Sequence, residues 1–290
     1  MMYRRRASPL HAARAAAGCA WCLALAVAAL MASDPILLGA VTVAVLAAGA
    51  AAGVGRQLGR AALWGLPVAL VIMLINALVT RDGLTVIVRL GDLPILGHTD
   101  ITLEATVYGA ILGLRAVALI LCGLLYTLAV DPDEVLRLFR RLSFRSALSA
   151  TVATRMVPIL LRDGRRLAEA QRCRPGPPPS RLALMRAACT GVLDRALDVA
   201  AALEVRGYGA ARRPPAHRGG VRSYSRHDIA FMASAAAIVA LSVAARLDPA
   251  AAFTAYPELR LAAGPHALSL ALGLMGAALL PFAARRGVSR

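Results

Sequence analysis

Ala170-Gln171-Arg172-Cys173-Arg174-Pro175-Gly176 and Ala202-Leu203-Glu204-Val205-Arg206-Gly207-Tyr208-Gly209 close two helical patterns inside one long polar segment, Asp131 to Asp228. Each sets an arginine beside a helix-stopping residue, proline in the first and glycine in the second. Apolar runs of near-bilayer length flank the segment on both sides. Such runs, about 20 residues each, are the mark of membrane-spanning helices. The fold class follows: an all-α polytopic membrane protein with a charged, helical insert.

Within the insert, Asp131-Pro132-Asp133-Glu134 is a helix start, with proline and acidic residues in the first turn. Val135, Leu138, Phe139 and Leu142 then recur at helical spacing, between Arg137, Arg140 and Arg141. This predicts a short amphipathic helix at the membrane surface. From Ala147 to Cys173, Val152, Met156, Ile159, Leu160 and Leu167 fit one face, and Pro158 predicts a kink because it removes one backbone bond. That helix ends by Arg174, since Pro175 follows. Ser180 is a good N-cap for a second long helix. Its stripe is Leu182, Met185, Cys189, Val192, Ala196, Val199 and Leu203, and it ends at Arg206-Gly207. Each long helix measures about 40 Å at about 1.5 Å per residue. One arginine-tipped helix needs nothing more than a favourable dipole contact and an ordinary glycine cap. Two in one segment, on helices too long for simple loops, point to docking.

Composition supports the membrane class. Of 290 residues, 59% are hydrophobic, against about 45–50% in soluble domains. Six spans are expected: Ala15–Ala32, Ile36–Ala52, Ala61–Thr80, Ile101–Val130, Ile229–Arg246 and Pro265–Ala284. The first has the basic flank and apolar core of a signal peptide, but further spans follow at once, so it reads as a retained transmembrane helix. Gly53 to Arg60 reads as a short basic loop, and Arg81 to Asp100 as an external loop with a short hairpin or an interfacial piece. The chain then divides into a four-helix region at residues 1–130, a coupling-helix region at 131–228 and a two-helix region at 229–290.

All 33 cations are arginines, and 19 of them lie in the insert. With both termini in the cytoplasm, 28 arginines fall inside and only Arg81, Arg89 and Arg260 outside, as the positive-inside rule requires. Arg115 sits within a span. It reads either as a functional group facing the bundle interior or as a packing partner of Glu104 or another polar group.

The net charge of +17 invites a nucleic-acid reading, but the arginines are accounted for by sidedness, and aromatics are only 4%. No nucleic-acid partner is expected. A phosphate-binding loop needs a lysine and the chain has none, so any ATP hydrolysis belongs to another subunit. Cys19-Ala-Trp-Cys22 has redox spacing but begins an apolar span, outside the context such a motif needs. The histidines are scattered, and no metal site is expected.

The stretch Val152-Ala-Thr-Arg155-Met-Val-Pro158-Ile-Leu-Leu, continuing to Arg174, resembles the lead into the first Ala-Arg-Gly motif of the transmembrane T component of energy-coupling factor transporters, the EcfT or CbiQ-type proteins. Leu203-Glu204-Val205-Arg206-Gly207-Tyr208 is similar to the second motif, and Leu10-His11 to the family's opening. Three positions depart from the pattern. Cys173 stands for Ala and Pro175 for Gly in the first motif, with glycine only at Gly176, and Val205 stands for Ala in the second. The resemblance implies ATPase-coupling residues at Arg172, Cys173, Arg174, Pro175, Gly176, Val205, Arg206 and Gly207. It also implies two ABC ATPase subunits that carry the ATP–Mg, and a small membrane S component that binds a vitamin or metal ion. The chain itself would hold no cofactor and lie in a bacterial plasma membrane. Two other classes compete. A membrane-embedded enzyme needs convergent polar groups within the spans, where Asn76 and Arg115 are few. A basic scaffold for anionic lipid or DNA predicts binding that collapses with salt.

Overall fold

A computed structural model of the chain describes residues 8–80, 85–93, 97–139, 144–173, 181–205, 207, 225–248 and 265–283. They fall into two compact units, residues 1–135 with 224–290, and residues 136–223. Apart from one hairpin, the described elements are helices.

The first unit begins with a single turn, α1 (Pro9–Ala12), capped by the Ser8 hydroxyl. The buried helices α2 (Ala15–Met31) and α3 (Pro35–Ala51) follow. Both are apolar but only 17 residues long, about 25 Å at about 1.5 Å per residue. Four others are long and apolar enough to cross a membrane: α4 (Gly55–Val79), α5 (Leu103–Ala129), α9 (Arg226–Leu247) and α10 (Pro265–Ala283). The two short helices supply much of the core, through Trp21, Leu25, Leu38, Val41 and Val45.

An aromatic junction in that core joins α2, α9 and α10. Trp21 is fully buried and meets Phe231 and Phe282 edge to face, with ring centroids 5.6 and 5.7 Å away. Its indole Nε1 donates to the Ser234 hydroxyl at 3.0 Å, and that hydroxyl donates to the Ala277 carbonyl at 2.6 Å. The one polar atom of the indole is thereby satisfied inside an apolar site, as a buried Trp requires.

The start of α4 corrects the expected basic loop. Only Ala52, Gly53 and Val54 make the turn, and Arg56 and Arg60 already lie on the helix. Gly53 takes φ +78°, a left-handed conformation natural to glycine. Leu58 then packs so close that a Cβ on Gly49 would sit 2.5 Å from its Cδ1. Low hydropathy moves the apolar window to Ala61 but does not break the backbone.

Helix α4 packs chiefly on α5. Gly109 and Gly113 of α5 lie under α4, where a Cβ would meet Met73 Cα at 2.9 Å and the Ala69 carbonyl oxygen at 2.8 Å. This is the small-residue spacing by which membrane helices approach closely. The rest of α4 is an uncovered apolar wall, including Leu63, Leu66, Leu70, Leu74 and Trp64, the last 80% exposed.

Between them lies the hairpin of β1 (Val86–Leu93) and β2 (Gly97–Thr102), antiparallel, with Arg89 opposite Asp100. Strand β2 runs straight into α5, whose N-cap is Thr102. Glu104 is buried and accepts from the Thr85 hydroxyl at 2.7 Å and from the Thr85 amide. Arg115 lies eleven residues farther along α5, about 16 Å away at about 1.5 Å per residue, too far for that carboxylate to reach. Arg115 Nη2 donates instead to the Ala32 carbonyl, the C-cap residue of α2.

The second unit contains the second half of α6 (Pro132–Phe139), then α7 (Phe144–Arg172) and α8 (Arg181–Val205). Helix α7 continues through Pro158. The expected N-cap Ser180 lies outside the described residues.

Candidate functional site

The two arginine-bearing helix ends belong to the second unit. Helix α7 has 29 residues and α8 has 25, so each is a rod of about 40 Å at about 1.5 Å per residue. On α7 the apolar and charged side chains divide as the spacing predicts, whereas on α8 Leu193 and Leu197, off the expected stripe, are exposed like the stripe itself, and much of the apolar surface of both helices is uncovered. On α8, Leu182, Met185, Cys189, Val192 and Ala196 of the expected stripe are exposed, and Val199 and Leu203 are half-buried. On α7, Met156, Leu160 and Leu167 are half-buried and Ile159 is exposed. Arg162, Arg165, Arg166 and Arg172 are exposed along the same helix. A long apolar face without cover, flanked by cations, is a surface suited to a partner.

One ion pair ties the rods together: Arg195 Nη1 of α8 donates to Asp163 Oδ2 of α7. Both side chains keep over a third of their surface exposed, so the pair contributes modestly and is sensitive to salt.

At the first helix end, Arg172 is the last residue of α7 and is exposed. Cys173 is exposed too, and its amide donates to the Glu169 carbonyl at 3.2 Å, which extends the helical bonding by one residue. Arg174, Pro175 and Gly176 lie outside the described residues. At the second end, α8 stops at Val205, which is 89% exposed. Arg206 lies outside the described residues. Gly207 has φ +73° and its amide donates to the Glu204 carbonyl at 2.8 Å. A left-handed glycine closing the last turn is what the Arg206-Gly207 signal predicts. The described residues thus show a glycine-closed stop at α8, while the proline expected to bound α7 lies outside them.

Sequence reasoning missed a second polar cluster, in the first unit, where the insert leaves and returns. Asp228 Oδ1 accepts from the Arg14 amide at 2.7 Å, and Glu134 Oε2 accepts from the Ala15 amide at 3.1 Å. These residues are separated by 214 and 119 positions, so no local pattern announces them. Ser225 and Asp228 also form a capping box at the start of α9, and the Ser-x-x-Asp spacing does signal that much. Among the described residues, no three His, Cys, Asp or Glu side chains gather closely enough to hold a metal ion.

No curated protein matches the chain. A family model does, over residues 6–216, a span that includes the first four apolar spans and both arginine-bearing helix ends. The chain is therefore a multi-pass membrane protein of transport type, and it belongs to the CbiQ family, described as cobalt transport proteins and matching the T-component type that its motifs resemble.

Proposed function

We propose that this chain is the transmembrane T component of an energy-coupling factor importer. It joins two ABC ATPase subunits to a small S component that binds the substrate, a cobalt ion or another transition metal, or a vitamin. Residues 1–130 and 229–290 form the membrane part in this reading, and residues 131–228 the cytoplasmic coupling part. The protein lies in a bacterial plasma membrane with both termini in the cytoplasm. It hydrolyses no ATP and binds no cofactor, the ATP–Mg being held by the ATPases.

One observation carries this reading. The two rods α7 and α8 leave their apolar faces uncovered and end in arginine-bearing stops. A guanidinium forms bidentate bonds with a carboxylate, and an adjacent small residue lets backbone approach closely. Arg172, Cys173, Arg174, Pro175 and Gly176 would form one contact with an ATPase, and Val205, Arg206 and Gly207 the other. Stiff helices of this length are suited to carry the movement of an ATPase pair into the membrane.

The test is co-expression with candidate ABC ATPase subunits followed by co-purification. Arg174→Glu combined with Arg206→Glu abolishes co-purification while the protein remains in the membrane. An unaltered complex overturns the docking role, and clear ATP hydrolysis by the purified chain alone overturns the division of labour.

A further inference from the structure

The insert leaves the first unit through the root of α6 and returns at the start of α9, and both strands are fastened to the same helix turn. Arg14 is the N-cap residue of α2 and has no side-chain cap of its own. Its amide is taken by Asp228 of the returning strand, and the next amide, Ala15, by Glu134 of the departing strand. Asp228 is 1% exposed and holds three groups at once: the Arg14 amide, the Arg14 Nε at 3.6 Å, and the Ser225 amide at 2.9 Å.

Two carboxylates thus meet the positive end of α2, whose first amides have no partners within the helix. Bonds to a charged acceptor are about twice as strong as neutral ones. The helix they hold buries one face along its length. It reaches α9 and α10 through Trp21, and α5 through the Ala32 carbonyl at its far end. Both ends of the insert are therefore tied to α2, which packs directly against α3, α5 and α9.

We propose that the first turn of α2 is the joint through which movement of the insert enters the membrane unit. Glu134 and Asp228 are its positioning residues. They hold the two strands to adjacent amides so that the strands move α2 together. This inference rests on the coupling function proposed above and names the residues through which that coupling passes.

The test uses the full chain assembled with its ATPase subunits in lipid nanodiscs, read by amide hydrogen exchange over residues 8–21 with and without ATP–Mg. Glu134→Gln and Asp228→Asn keep the side-chain shape and one acceptor oxygen while removing the charge. In the native protein, ATP–Mg changes exchange at the Arg14 and Ala15 amides. In the double variant, exchange at these two amides without nucleotide rises about tenfold. The nucleotide response there disappears, while the ATPases stay bound and hydrolyse ATP at the native rate. Each single variant loses the response at its own amide only in part, and these two carry the comparison if the double variant does not assemble. A response that survives in the variants overturns the joint, as does a native protein with no response at these amides. A native chain that never associates with ATPases overturns the coupling reading itself, and that result appears at purification, before any exchange is measured.

Discussion

Arg115 Nη2 lies 2.7 Å from the carbonyl oxygen of Ala32, the residue that ends α2. A cation nearly halfway along a transmembrane helix thereby caps the C-terminus of its neighbour. The carbonyls at a helix C-terminus have no partner in the helix and carry its negative end. A guanidinium satisfies both needs, and the α2–α3 turn is held against α5.

Replacing Arg115 tests that role. Hydrogen bonds to charged groups contribute about 1.5–3 kcal/mol. Arg115→Leu is expected to destabilise the purified protein by that order, and Arg115→Lys by less, since an ammonium still donates but lacks the planar fork. The measurement is the melting temperature in detergent. An Arg115→Leu protein that melts with the native one removes the capping role.

The α4–α5 contact makes a sharper prediction because it contains its own control. A methyl on Gly109 or Gly113 meets backbone of α4 within 3 Å, whereas a methyl on Gly123 of the same helix meets nothing within 4 Å. Gly109→Ala and Gly113→Ala are expected to cost about 1–3 kcal/mol each through overpacking. Gly123→Ala is expected to gain up to about 1 kcal/mol, the ordinary helix preference for alanine. Thermal unfolding of the three variants orders them. A common effect at all three positions would show that propensity, not close approach, governs these glycines.

How much of this was legible follows from which interactions are local. Helical spacing and stop residues are local, so α7, α8 and the Gly207 closure could be read from a few turns of sequence. Hydropathy found the apolar core of α4 but not its first turns, because Arg56 and Arg60 are polar without being helix breakers. Gly109 and Gly113 carry a readable spacing, which says that some helix approaches closely but not which one. Trp21 with Phe231 and Phe282, Arg14 with Asp228, and Arg115 with Ala32 join residues far apart in the chain. Each depends on how the helices are packed. Arg115 shows the limit most clearly. Glu104, the nearest acidic residue on its own helix, is a natural guess as partner, yet the partner is a backbone carbonyl, a group every residue possesses and no sequence pattern marks.

Asp34 gives a prediction in pH. It caps α3 by accepting from the Ile36 amide at 3.4 Å, while its Oδ2 is buried without a partner among the described residues. Burial pushes its carboxyl above the ordinary range, and the Ile36 amide offsets this only in part. A value raised in the folded state means that folding favours the protonated acid. The ionised form therefore destabilises the protein increasingly as pH rises from the unfolded value through the folded one, and below both values the cost is absent. Asparagine caps helices as well as aspartate does. Asp34→Asn is accordingly expected to raise the melting temperature at neutral pH, by a margin that shrinks as the medium is acidified below the ordinary aspartate range. A margin that is constant with pH would assign the effect to capping geometry instead of charge.

The Arg195–Asp163 pair yields the last prediction, because it links the two rods of the second unit. Partly exposed pairs of this kind are worth about 0.2–1 kcal/mol and weaken with salt. Either single change, Asp163→Ala or Arg195→Ala, is therefore expected to lower stability by less than about 1 kcal/mol. The more telling readout is geometric. Spin labels placed on exposed positions of α7 and α8, such as Gly164 and Leu197, report the distance between the rods. Asp163→Arg puts two guanidinium groups together and is expected to broaden that distance distribution. Adding Arg195→Asp restores opposite charges in exchanged places and is expected to narrow it again. If the exchange fails to narrow the distribution while the single reversal broadens it, the rods are held by packing around Asp163 and not by the charge pair.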